Sequence, residues 1–380
     1  MQRAAHRFAS ATDGAAQARC SDAGNALRKR LVVTALLLAS LIASLVIIAD
    51  ASALADRYRI TSLGTLGGSS SAAAGINDRG QVVGSSTLAN DAATHAFRYD
   101  GRMHDLGTLP GGTNSDATAI NAQGQITGSS ETLIPPWEGC VRCPEISWIA
   151  FRYENGNMTD LGHFPWHWPY DPPASYGYAI NDLGTVAGMA LSNSLDAYAV
   201  MFRAGQLLTL PVGTIAPYAY GINNHGQIVG GTQGPSSGSP FLYDGQAVSI
   251  YPIEAGRATA INNAGHVVGA GRPISGGQLL PHQAFVNING SFQWFGGEST
   301  SALDINDADV VVGESGFPGV AQPQAFVYAR GVMRRLDDLI SPAAGWTLQA
   351  AAGINQRGQI VGTGLHRGQT RAFLLTPVGG

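Results

Sequence analysis

One stretch of chain recurs seven times, and its alternation of small and apolar positions predicts the fold. It ends in Ile-Asn at Asn77, Asn121, Asn181, Asn223, Asn262, Asn306 and Asn355. The residues four and two before each Asn are small: Ala73/Gly75, Ala117/Ala119, Gly177/Ala179, Ala219/Gly221, Ala258/Ala260 and Ala351/Gly353. In the remaining copy Ala302 is followed by Asp304, the one charge among these positions. Period two predicts a strand with one small face and one face carrying Ile. A face that is small in every copy belongs where neighbouring units crowd together.

The residues after each Asn predict a tight hairpin. Three positions on stands Gly80, Gly124, Gly184, Gly226, Gly265 or Gly358, with Asp309 in the remaining copy. Asn caps such a turn with its side chain, and Gly or Asp accepts positive φ at its end. Turn chemistry alone demands this Asn, so the seven are read as structural rather than as metal or sugar ligands. Seven residues after each Asn comes a second Gly, from Gly84 to Gly362.

A full unit reads as four strands. In the second copy these are 115–121, 125–131, 147–153 and 157–161. The Asn-to-Asn spacings are 44, 60, 42, 39, 44 and 49 residues. A four-stranded unit of this length suits a propeller blade better than a solenoid coil. The ends of the chain sharpen the expectation. Ile60-Thr-Ser-Leu63-Gly64-Thr65-Leu66 precedes the first Ile-Asn yet matches the fourth-strand segment Met103-His-Asp-Leu106-Gly107-Thr108-Leu109. The seventh copy stops after its third strand, 371–376. The expected fold is therefore an all-β, seven-bladed propeller of four-stranded blades, spanning residues 56–380. Residues 57–66 are expected to complete the last blade, leaving no open sheet edge.

Composition agrees and excludes several functions. Apolar residues make up 44% of the chain and charged ones 13%, while 50 glycines serve many tight turns. From Asp56 onward there are 16 basic and 23 acidic residues, a balance of −7 that argues against nucleic acid as a partner. Lys29 is the only lysine, so lysine-dependent chemistry has no place in the repeats. Cys140-Val-Arg-Cys143 is half a zinc site with no second pair to complete it. A loop disulfide or two free thiols are the readings left. No metal or cofactor is expected, and the propeller is expected to be monomeric.

Residues 1–55 form a separate N-terminal extension. Arg28-Lys29-Arg30 precedes the 19 uncharged residues Leu31 to Ala49, and small residues at Ala51, Ala53 and Ala55 follow. Basic, apolar and small regions in that order make a secretory signal, with an uncleaved membrane anchor through residues 31–49 as the alternative. Either places the repeats outside the cytoplasm, whether secreted, periplasmic or at the cell surface.

The third strands carry His95-Ala96-Phe97, Ile149-Ala150-Phe151, Gln283-Ala284-Phe285, Gln324-Ala325-Phe326 and Arg371-Ala372-Phe373. With the Ile-Asn and Asp-Leu-Gly-Thr-Leu motifs, residues 57–377 resemble the HAF-repeat family of extracellular repeat proteins. The resemblance implies export and a propeller-like architecture, and it assigns no catalytic residue.

No G-x-S-x-G or H-E-x-x-H motif and no Asp-rich calcium loop is present. No catalytic residue is assigned. The candidate binding residues lie where one unit departs from the repeat. Gly128 to Ala150 is 22 residues, against 12 from Gly84 to Ala96. This loop and the exit loop after it hold Trp137, Trp148, Trp166, His167, Trp168, Tyr170 and Asp171, with Cys140 and Cys143 placed to stiffen the first. Asp304 is a further candidate, lining a solvated channel or pairing with an arginine such as Arg257. The expected function is a non-catalytic binding or scaffold module for carbohydrate or protein. The alternatives are a glycan hydrolase using carboxylates such as Asp116, Asp171 or Asp304, or a structural envelope protein.

Overall fold

The computed structural model describes residues 58–134, 146–165, 173–192, 196–213, 217–232, 238–317 and 322–378. Its strands form seven four-stranded antiparallel sheets in chain order around one axis, a seven-bladed β-propeller. The first strands, which lie innermost, are Gly67–Ile76, Ser115–Ile120, Ser175–Ile180, Tyr218–Ile222, Glu254–Ile261, Ser301–Ile305 and Trp346–Ile354 for blades 1 to 7. Each is followed outward by its second, third and fourth strands. In blade 2 these are Ile126–Leu133, Ile146–Glu154 and Asn157–Asp160. Blade 5 also carries a small hairpin, Ile274–Ser275 with Gln278–Leu279, between its second and third strands. Nothing in the repeat pattern announced it.

The last blade is completed from the N-terminal side of the repeats. Tyr58–Ser62 pairs antiparallel with Gln369–Pro377, in the register Tyr58↔Pro377 to Ser62↔Phe373. Leu63, next in the chain, is buried beside Phe97 and Ala372. The displaced fourth strand thus closes the ring as its sequence indicated.

The second recurring Gly sits between the third strand and a first-strand carbonyl. Phe97, Phe151, Phe241, Phe285, Phe326 and Phe373 are fully buried. Each pairs across the ladder with its blade's Gly, as in Phe97↔Gly84 and Phe373↔Gly362. Blade 3 has Val200 opposite Gly188 instead. A Cβ on any of the seven glycines would lie 1.9–2.1 Å from the carbonyl oxygen of the residue five before the Asn. Only glycine leaves room for that approach. Each buried ring contributes roughly 2 kcal/mol of apolar transfer energy.

Every first strand also shares a β-bulge just after the residue that carries this carbonyl. Pairing jumps from Ala73 to Gly75, Ala117 to Ala119, Gly177 to Ala179, Ala219 to Gly221, Ala258 to Ala260, Ala302 to Asp304 and Ala351 to Gly353. The bulge corrects the simple period-two reading of this strand. One residue is skipped, so the Ile before each Asn does not continue the face set earlier in the strand. The crowding expected of the small positions holds: a Cβ on Gly221 would meet Ala260 Cα of the next blade at 3.0 Å.

The seven Asn side chains link the blades. The Asn77 amide donates to the carbonyl of Asn121, Asn121 to Asn181, Asn181 to Asn223, Asn223 to Asn262, Asn262 to Asn306, Asn306 to Asn355, and Asn355 back to Asn77, all at 3.0–3.1 Å. The side-chain oxygen of each accepts the amide N–H four residues on within its own turn. Each Asn therefore caps its own turn and ties it to the next blade, with no more than 5% of its surface exposed.

Candidate functional site

The residue skipped by each bulge projects into the axial channel. These seven are Ala74, Thr118, Tyr178, Tyr220, Thr259, Leu303 and Ala352, and together they line a central cavity of about 200 Å³. Bulges commonly re-aim side chains in this way. Two residues earlier, on the side of the long connections, stand Ala72, Asp116, Tyr176, Tyr218, Arg257, Ser301 and Ala350. The two rings of positions are sharply unequal around the axis. Blades 7 and 1 supply only alanine, whereas blades 2 to 5 supply Asp116, four tyrosines, two threonines and Arg257.

The tyrosines form one continuous aromatic surface over blades 3 and 4. The rings of Tyr176 and Tyr178 are parallel within 10° with centroids 6.4 Å apart. Those of Tyr218 and Tyr220 are parallel within 4° at 5.8 Å, and Tyr178 meets Tyr220 across the blade boundary at 5.4 Å. All four are half-buried. Burial, and then the neighbouring Tyr220, Tyr218 and Tyr176 hydroxyls, push the Tyr178 phenol well above its ordinary range. Burial raises the Tyr176 and Tyr220 phenols as well, so these three stay neutral donors at any physiological pH. The flanking threonines have other work: the Thr118 hydroxyl donates to the carbonyl of Gly177, and that of Thr259 to the carbonyl of Ala302.

Opposite charges flank the aromatic surface. Asp116 lies beside Tyr176, and burial alone pushes its carboxyl up to about 6. At the other end Arg257 is exposed and has no ion pair among the described residues. It borders a second cavity of about 230 Å³ with Tyr218, Tyr220, Thr232 and His282. Burial, then Arg257 and Arg272, push the His282 imidazole below its ordinary value, so it is neutral at pH 7.

Asp304 sits elsewhere on the channel wall. Its two carboxylate oxygens each accept a backbone N–H, from Ile305 and Ile354, at 2.8 Å. Burial outweighs these bonds and raises the carboxyl to about 6. Arg257 is not its partner. The pairing considered from sequence is replaced by main-chain donors, one from its own strand and one from the first strand of blade 7. Asp304 and Asp116 stand three blades apart, the widest separation that a ring of seven permits.

Of the loop residues singled out in the sequence, Trp148 is described: it lies half-buried on the third strand of blade 2, opposite Glu131. Trp137, Cys140, Cys143, Trp166, His167, Trp168, Tyr170 and Asp171 lie outside the described residues, as does the apolar segment 31–49. The tyrosine surface was missed. Its signal was present in the residues five and three before each Asn, which read Tyr-Tyr, Tyr-Tyr, Arg-Thr and Asp-Thr on one side of the ring and Ala-Ala on the other.

No protein-family model matches the chain, and no curated protein matches it. Among solved structures the chain is similar to the β-propeller domain of the Trilobed protease from Pyrococcus furiosus, at 9% identity and a TM-score of 0.45, over 80% of this chain and 93% of that one. It is also similar to the Pyrococcus horikoshii acylaminoacyl peptidase, at 8% identity and a TM-score of 0.44, over 67% of this chain and 43% of that one. TolB from Acinetobacter baumannii matches at 12% identity and a TM-score of 0.36, over 63% and 62% of the two chains. The chain thus spans less than half the length of the peptidase and less than two thirds of TolB. The protein is a seven-bladed β-propeller.

Proposed function

We propose that this protein is an exported, non-catalytic binding propeller that captures carbohydrate at the channel mouth on the side of the long connections. One observation carries the reading: the first-strand positions five and three before each Asn hold four tyrosines, an aspartate and an arginine over blades 2 to 5, but alanine in blades 7 and 1. Stability gives a repeat protein no reason for that asymmetry. Half-buried aromatic rings with hydroxyls free of protein partners among the described residues offer both an apolar face and a hydrogen-bond donor, which suits a sugar ring.

Cavity size favours a sugar over a folded protein partner. Cavities of about 200 and 230 Å³ suit monosaccharide-sized groups, whereas a stable protein interface takes about 800 Å² from each side. Asp304 already accepts two backbone N–H groups and stands three blades from Asp116, which supports binding over paired acid–base work on one glycosidic bond. Export rests on the basic and apolar leader at residues 28–49 and on the resemblance to HAF-repeat proteins.

The test is a screen of the purified protein on an array of immobilised glycans, alongside Tyr176→Ala/Tyr218→Ala. Specific capture by the parent, lost in a variant that melts at the same temperature, is the expected result. Capture that survives the double substitution would move the site away from the channel mouth.

A further inference from the structure

We infer that the channel-mouth site selects acidic sugars, with Arg257 and His282 receiving the anionic group while the tyrosines hold the ring; this rests on the carbohydrate reading above. Arg257 is an exposed cation with no ion pair among the described residues, set in a repeat domain whose balance is −7. A surface arginine in so acidic a domain has carboxylates available to pair with, yet this one borders a concave cavity with Tyr218 and Tyr220. Its planar guanidinium matches a carboxylate or sulfate oxygen pair with two parallel hydrogen bonds.

The surroundings reinforce the anion preference. His282, in the same cavity, is held neutral by burial and by the positive field of Arg257 and Arg272. It can donate one hydrogen bond without adding a second fixed charge that would need its own counter-ion. Gly231 and Gly256 also line this cavity, and a Cβ on Gly231 would lie 2.8 Å from the Cβ of Arg257. Glycine there leaves space beside the arginine stem. The opposite end of the aromatic surface is capped by Asp116, whose carboxyl has no hydrogen-bond partner among the described residues and accepts a sugar hydroxyl. Arginine at one end and aspartate at the other give the site a polarity that a neutral, symmetric glycan cannot exploit.

The experiment compares matched acidic and neutral ligands. Polygalacturonate is set against its methyl ester, and dextran sulfate against dextran, alongside the acidic and neutral members of a glycan array. Binding is read for the parent, Arg257→Gln and Arg257→Lys. The account expects at least tenfold tighter binding to the acidic member of whichever pair binds. It expects that preference to be lost in Arg257→Gln and partly kept in Arg257→Lys, with unchanged melting temperatures. Equal binding to acidic and neutral members overturns the inference while leaving carbohydrate capture intact. Acidic binding that Arg257→Gln does not weaken overturns it too. Binding to poly-glutamate without binding to any glycan would sink both this inference and the carbohydrate reading, in favour of an acidic peptide.

Discussion

Asn355 donates its side-chain amide to the backbone carbonyl of Asn77 at 3.0 Å, joining the last blade to the first across 278 residues of chain. The same Asn355 caps its own turn by accepting the N–H groups of Arg357 and Gln359. One residue type thus closes a turn locally and the ring globally.

This double role predicts a substitution that separates the two functions. Aspartate caps a turn as well as asparagine does, but it has no N–H to give to Asn77. Asn355→Asp should therefore cost on the order of 2–4 kcal/mol, because it buries a carboxylate against a carbonyl that has lost its donor. Urea denaturation measures it. A variant as stable as the parent would reduce the residue to a turn cap.

The strand Tyr58–Ser62 offers a second test of closure. Removing residues 56–66 strips the outer strand from blade 7 and takes away Leu63, which is 4% exposed. The row of ladder groups on Gln369–Pro377 is then left unpaired at an open edge. The deletion should abolish cooperative unfolding or lower its midpoint by more than about 10 °C. A deletion mutant that melts like the parent would contradict the closed ring.

Asp116 predicts a pH dependence with a definite sign. Its folded carboxyl titrates near 6, above the ordinary 3.8, so the native state holds the proton more tightly than the unfolded chain does. The protonated side chain is fully accommodated below pH 3.8. Stability is lost as pH rises from there through 6, at a cost of up to about 3 kcal/mol. Asp116→Asn cannot ionise and escapes that loss. Its stability relative to the parent should climb between pH 4 and pH 7 and then level off, as followed by denaturation at each pH. A constant difference would show that Asp116 is solvated in the folded protein.

The fold could be read from the chain because its determinants are local and repeated. Ile-Asn, the Gly seven residues later and the Ala-Phe pair recur in a fixed order, and the orphan Leu63-Gly64-Thr65-Leu66 segment betrays the exchanged strand. The links between blades could not be read the same way. The Nδ2 bonds run between residues 39 to 278 positions apart, so their partners appear only once neighbouring blades are placed. The bulge hid the site: strict alternation groups Tyr176 and Tyr178, or Tyr218 and Tyr220, with the Ile before each Asn on one face, whereas the register shift sets Tyr178 and Tyr220 apart from that Ile and beside the central cavity. Asp304 was recognisable as exceptional, but its donors are main-chain N–H groups that no side-chain pattern reveals.

The central claim is that ligand is held by the tyrosines of the channel mouth. Its most direct test is a calorimetric titration of the strongest glycan from the array onto the parent, onto Tyr178→Ala/Tyr220→Ala and onto Trp166→Ala/Trp168→Ala. The account predicts that removing the two tyrosines raises Kd at least about 30-fold, equivalent to about 2 kcal/mol, with the loop tryptophans making a smaller difference. A Kd unchanged by the tyrosine substitutions but raised by the tryptophan substitutions would contradict it and place recognition on the long connections of blade 2.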